Sequence, residues 1–217
     1  VINPDVIIEK FGADTLRLYE MFMGPFKDMK PWSTNGVLGV YLFLQKAWRL
    51  ATESKISNEK PDGTTLKMSH QTLKKVTEDI EEFKFNTAVS QMMMMVNHLQ
   101  SLESVPRKSL EMLLICLSPF APHFAEECWD RMGHSKMIMD QHWPEWDEVL
   151  AAEDMILMPV QVNGKLRATI EVPVGVSKEK ALKLAKEHGN VQKHLEGKKI
   201  LKEIFVPGKI LNFVVRD

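Results

Sequence analysis

The chain has 217 residues, 44% of them hydrophobic, enough to bury one good core or two modest ones, so a soluble globular protein is expected. Its longest apolar stretches fall short of the ~20 residues that span a bilayer, which excludes a membrane helix, and its two cysteines, Cys116 and Cys128, lack a CxxC spacing, which speaks against a disulfide framework or a zinc site. The net charge of −1 conceals an asymmetry: residues 160–217 carry twelve Lys and Arg against six Asp and Glu, leaving sixteen against twenty-three for residues 1–159.

The sequence opens on Val1-Ile2-Asn3-Pro4-Asp5 with no initiator Met or leader, which reads as a cut rather than a beginning. Asn3-Pro4 is a good helix start, because Asn can accept a bond from a free backbone N–H and Pro at the first helical position loses nothing by lacking its own. A short helix over 6–11, a stop at Gly12 and a second helix over 13–23 come next. Apolar residues at helical spacing then predict helices over 35–53, 66–84, 86–103, 107–117 and 123–132, separated by Pro, Gly and polar segments. Five substantial helices in this order imply a mainly α chain built on an antiparallel helical bundle. Residues 134–155 read as a linker anchored by Trp143 and Trp146.

After Met155 the period changes. Residues 156–162 and 165–172 alternate around Asn163-Gly164, the strongest short-range hairpin signal because both turn residues can take positive φ. A Lys-rich amphipathic helix over 177–188 and a second strand pair, 200–206 and 209–215 around Pro207-Gly208, complete a small basic ββαββ-type α/β domain. The division expected is therefore 1–34 as a lead-in, 35–155 as the bundle with its linker and 156–217 as the small domain.

No catalytic constellation stands out. Glu81-Glu82 and Glu126-Glu127 are adjacent on helices and diverge by about a quarter turn, so neither pair converges on one substrate. The seven histidines form no HxxxH or HExxH pair, so no metal site is expected. The run Met92 to Met95 cannot share one helix face, and a helix packed on several sides accounts for it better than a soft-ligand site. The basic tail offers the candidate site: Lys165 and Arg167 near the hairpin turn, on one side of the strand alternation, and Lys198, Lys199 and Lys202 before the third strand, a group suited to several phosphates. A helical protein-interaction module with a small α/β cap and no RNA role is the competing reading.

In this order the segments carry a resemblance. VINPDVIIEKFGADTLRLYEMFMGPF resembles the segment just after the KMSKS loop in class I aminoacyl-tRNA synthetases of the Leu, Ile and Val group. SPFAPHFAEECWDRMG at 118–133 with HWPEWDE at 142–148 resembles the end of their helical anticodon-binding domain, and VQVNGKLRATIEVP with IFVPGKILNFVV resembles the small C-terminal domain of bacterial-type leucyl-tRNA synthetases. The resemblance implies a cytoplasmic, monomeric enzyme that attaches leucine to tRNA(Leu) through leucyl-adenylate, with ATP and Mg²⁺ bound upstream of Val1. It implies that residues 1–34 join the catalytic core to the bundle and contact the inner side of the tRNA, with Lys27 and Lys30 as candidates for a stem contact and Trp32 a candidate for that role or for the core; that the tail reaches the outer corner of the tRNA; and that this stretch holds no catalytic residue. Lys67-Met68-Ser69-His70 is no substitute for KMSKS: it lacks the second Lys and Ser and comes after the INPD segment instead of preceding it.

Overall fold

In a computed structural model the residues described are 3–25, 27–152 and 155–216, so the opening Val1-Ile2 lies outside them. The chain divides into two compact units, Val1–Ala152 and Glu153–Asp217.

The first unit is helical. It contains α1 (Pro4–Phe11), α2 (Ala13–Phe22), α3 (Thr34–Thr52), α4 (Gly63–Glu81), α5 (Phe85–Gln100), α6 (Arg107–Leu117), α7 (Pro122–Arg131) and a short α8 (Glu148–Ala151). Two dipeptide strands, β1 (Ile56–Ser57) and β2 (Val105–Pro106), pair in parallel and tie the loop after α3 to the start of α6. The starts are chemically explicit. Asn3 accepts the Asp5 N–H at 3.0 Å, and Asp62 accepts the Thr65 N–H at 2.8 Å. That second cap starts α4 at Gly63, three residues earlier than hydrophobic spacing alone suggests, because a cap belongs to polar residues that periodicity does not register. Hydrogen bonding by its Thr65 partners also holds the Asp62 carboxyl below its usual range.

One core runs through this unit, from Leu18 and Val40 to Leu99, Leu113 and Phe120, all essentially inaccessible to solvent. The methionine run obeys helix geometry: Met92 and Met95 are fully buried, Met93 is half-buried and Met94 is 51% exposed. Glu126 and Glu127 diverge as expected, Glu126 accepting the Ile138 N–H and Glu127 pairing with Arg131. Trp143 anchors the expected linker, whose described residues 134–152 pack on the helices. His134 pairs with Glu111 of α6 and the Ile138 N–H with Glu126 of α7, while Trp143 donates to Thr77 Oγ1 at 2.8 Å, Gln71 donates to the Ala152 carbonyl at 2.9 Å, and Lys74 pairs with Glu148, so residues 143–152 are fastened along α4. The side chains of α4 that make those bonds are polar, and the hydrophobic pattern did not reveal them. Residues 153 and 154, at the end of the expected linker, lie outside those described.

The second unit is α/β. β3 (Met155–Val162), β4 (Lys165–Pro173), α9 (Lys178–Glu187), α10 (Gly189–Leu195), β5 (Lys199–Val206) and β6 (Ile210–Arg216) form a four-stranded sheet in the order β4-β3-β6-β5 with two helices. The two hairpins are antiparallel, and they join through a parallel pairing of β3 with β6. The helical connection between them is α9 and then α10, giving ββααββ where the sequence suggested one helix. α10 is a single amphipathic stretch of seven residues whose buried anchor is Val191, too short to give a periodic signal. The core lies between the sheet and these helices: Met158, Val160, Val162, Ile170, Val172, Leu211 and Phe213 meet Ala181, Leu182, Ala185 and Val191. None of the described helices of this unit lies on the opposite face of the sheet.

Candidate nucleic-acid interface

Register decides which of the basic residues meet. Each strand hairpin contains one bulge, an extra residue that reverses the alternation beyond it. On β5 the bulge falls at Leu201. Ile200 stands opposite Val215 and Glu203 opposite Phe213, on the helix-covered side, where Glu203 pairs with Lys186 of α9 at 2.7 Å. Lys199, opposite Arg216, and Lys202, opposite Val214, therefore share the helix-free face. Strict alternation would have put them on opposite faces, since they are three residues apart.

The bulge on β4 has the contrary effect. Val160 pairs with Ala168 and Gln161 with Leu166, which leaves Arg167 as the extra residue and sets Lys165 opposite the buried Val162. Lys165 and Arg167 thus do not share one side of an unbroken alternation as the sequence pattern suggested. Arg167 is half-buried, and its Nε is enclosed with no hydrogen-bond partner. These two residues stand on one edge strand while Lys199 and Lys202 stand on the other. With three strand spacings of about 4.8 Å between, the two groups lie roughly 14 Å apart across the sheet.

They nevertheless occupy the same end of it. β3 runs parallel to β6, with Val162 opposite Phe213, so the Asn163-Gly164 turn lies beside the last residues of β6, and Arg216 there is paired with the first residue of β5. Lys198, exposed, immediately precedes β5, its N–H bonded to the Leu195 carbonyl. Arg216 is the member that sequence reading missed. It is a lone cation on the last strand, and only the β5–β6 register brings it to Lys199. Away from this corner, toward the Pro207-Gly208 end, the same helix-free face exposes Ile204, Val206 and Leu157 at 36%, 39% and 68%.

In the first unit, Lys27 is exposed in the loop after α2, and Lys30 pairs with Asp28 at 3.4 Å while its stem lies against Gly24. Trp32, the other residue of that loop with a candidate role, packs edge-on to Tyr19 with ring centroids 4.9 Å apart. Asp14, buried at the start of α2, accepts the Phe124 N–H at 2.6 Å and faces His123 Nδ1 at 3.0 Å, which pins the lead-in helices to the first turn of α7. Beside it, a cleft of about 580 Å³ is lined by Phe11, Tyr41, Trp48 and Phe124. Ser69 of the Lys67-Met68-Ser69-His70 stretch is buried in α4, bonded to the Thr65 carbonyl and to Ser109 Oγ. No group of three or more His, Cys, Asp or Glu able to hold a metal occurs among the described residues, and none of the described helices is long and apolar enough to cross a membrane.

Comparison with known proteins places these features. The chain is 48% identical over 221 residues to the leucine–tRNA ligase of Chlorobaculum parvum, which covers all of this chain and 27% of that protein. It is 48% identical to the enzyme of the same name from Parabacteroides distasonis, covering 99% of this chain and 23% of that one. It thus spans about a quarter of the length of the curated relatives it matches. Among solved structures, the LeuRS in the LeuRS-tRNA-LeuAMS ternary complex from Agrobacterium radiobacter K84 superposes with a TM-score of 0.63 at 29% identity, over 100% of this chain and 31% of that one. The family model described as the anticodon-binding domain of tRNA ligase matches residues 62–182, from the Asp62 cap of α4 into α9. That match takes in more than half of the chain, which therefore belongs to the anticodon-binding-domain family of tRNA ligases.

Proposed function

We propose that this chain is the tRNA-binding C-terminal part of a cytoplasmic, monomeric leucine–tRNA ligase, with tRNA(Leu) and the rest of the synthetase as its partners. The observation that carries the reading is the basic corner of the second unit, Lys199, Lys202 and Arg216 on one open sheet face, in a chain 48% identical to leucine–tRNA ligases. Cations held on a sheet face can each meet a backbone phosphate and release its counterions, which gives affinity without base readout. Lys165, Arg167 and Lys198 lie at the same end of the sheet, Lys165 on its other face. Lys27 and Lys30 form a separate contact toward the tRNA stem.

In this reading residues 1–34 join the catalytic core, 35–155 form an antiparallel bundle bracing the tRNA, and 156–217 reach its outer corner. Leucine activation with ATP and Mg²⁺ belongs to the remainder of the enzyme, and this stretch performs no chemistry alone. Titration of tRNA(Leu) at two salt concentrations tests the assignment. The expected result is weak binding that falls steeply with salt; no binding at low salt, or binding indifferent to salt, refutes it.

A further inference from the structure

Asn163 does more than shape the turn it occupies. Its φ of +49° and that of Gly164, +76°, are what a two-residue hairpin turn needs, and glycine would serve the turn as well. The side chain is bonded to another strand altogether. Asn163 Oδ1 accepts the Val215 N–H at 2.8 Å, and Asn163 Nδ2 donates to the Val215 carbonyl at 3.0 Å, while its own N–H donates to the Phe213 carbonyl at 2.9 Å. In a parallel ladder, a residue donates to one residue of its neighbour and accepts at its carbonyl from the residue two further on. The left-handed turn swings the Asn163 carbonyl out of that register, and the side-chain amide takes its place. A second bond, from the Gly164 N–H to Asn212 Oδ1 at 3.2 Å, fastens the same turn to the same strand.

The residue after Val215 is Arg216, and opposite it stands Lys199. The backbone ladder between β3 and β6 ends at Val162–Phe213, so beyond that point β6 is held on one side by β5, an edge strand, and on the other by the Asn163 amide. We propose that Asn163 is a positioning residue for tRNA binding: its side-chain amide extends the β3–β6 ladder past the end of β3 and thereby fixes Arg216 and Lys199 on the open face at the spacing phosphates require. This rests on the proposed tRNA role of the basic corner and adds the device that orders it. Without the clasp the open end of the β5–β6 hairpin is paired to nothing but itself, and its cations sample many positions at an entropic cost incurred on binding.

The test uses the whole chain and a tRNA(Leu) transcript. In Asn163→Gly the left-handed turn is kept and both side-chain bonds are lost. This variant is expected to weaken binding about fivefold, Arg216→Ala to do the same, and the double variant to lose clearly less than the product of the two losses, because the clasp acts in large part through Arg216. A merely structural role would make the two losses multiply, and that outcome overturns the proposal, as does unchanged binding by Asn163→Gly. Should the variant fold poorly, amide exchange in the unsubstituted chain reads the clasp directly: protection of the Val215 N–H is expected, and free exchange overturns it. Absence of tRNA binding by the unsubstituted chain refutes the function of the corner, whereas binding that the Asn163 variant leaves intact refutes the clasp alone.

Discussion

Arg216 of β6 stands directly opposite Lys199 of β5, two cations at a paired position of an antiparallel ladder. Like charges so placed repel and weaken a sheet, so their pairing makes sense where an anion sits over both. Replacing either by Ala should lower tRNA affinity and reduce the log–log salt slope by about one unit each, while the melting temperature holds or rises slightly. Titrations at several salt concentrations alongside thermal melts check both parts. A loss of affinity with an unchanged slope would remove the phosphate assignment.

Asp14 links the lead-in helices to α7 from 110 residues away. Its carboxylate takes the Phe124 N–H in the first turn of α7, where a negative charge also meets the positive end of the helix dipole. At 8% exposure, Asp14→Ala leaves that N–H without its acceptor and should cost about 1–3 kcal/mol. Asp14→Asn keeps the acceptor oxygen and should recover part of the loss. Denaturant unfolding of both variants measures the difference, and equal stability of Ala and Asn would show that the bond to Phe124 is not the source.

Gly36, in the first turn of α3, is a place where a better helix former should destabilise. A Cβ built there would lie 2.7 Å from Cε2 of Tyr19, whose hydroxyl accepts the Ser33 N–H at 2.8 Å just ahead of the helix. Tyr19 is 3% exposed and stacked edge-on with Trp32, so its ring has little room to yield. Gly36→Ala should therefore lower stability by about 1–3 kcal/mol, against the ~1 kcal/mol gain that helix propensity alone suggests. Gly39, three residues on, is the control: a Cβ there would meet nothing within 4 Å, and the chain should become more stable with Ala at that position.

Burial pushes the thiols of Cys116 and Cys128 up to about 12 from 9.0. At pH 8 the folded chain holds a vanishing fraction of thiolate, roughly one part in ten thousand. Labelling by a thiol reagent should then proceed only through unfolding and accelerate sharply with denaturant. Because the folded pKa lies above the unfolded one, the neutral thiols stabilise the fold fully below pH 9, and that contribution fades as pH climbs from 9 toward 12. Rapid labelling of both thiols in the native state at pH 8 would contradict their burial.

The basic surface was legible as composition and not as geometry. Charge counting located an excess of cations in the tail and singled out Lys199 and Lys202, but it had no means to find Arg216 or to see that Lys165 turns from the face Lys199 shares. Both outcomes depend on bulges at Leu201 and Arg167, each a one-residue register shift that leaves no mark on hydrophobic spacing. The Asn163-Gly164 turn was readable because positive φ has a residue preference. Its second role, bonding to Val215, was not, because it joins positions 52 residues apart.

By itself the sequence determined the local elements: helices where apolar residues recur at helical spacing and caps stand ready, strands where they alternate, and a change from one period to the other near Met155. It also carried the family resemblance, since that rests on residue identities in order. Only the tertiary structure decided how the strands order as β4-β3-β6-β5, where residues 143–152 lie along α4, and which cations meet at one corner. The physical reason is that periodicity reports which face of an element seeks burial, whereas register and side-chain hydrogen bonds between distant segments are settled when those faces pack.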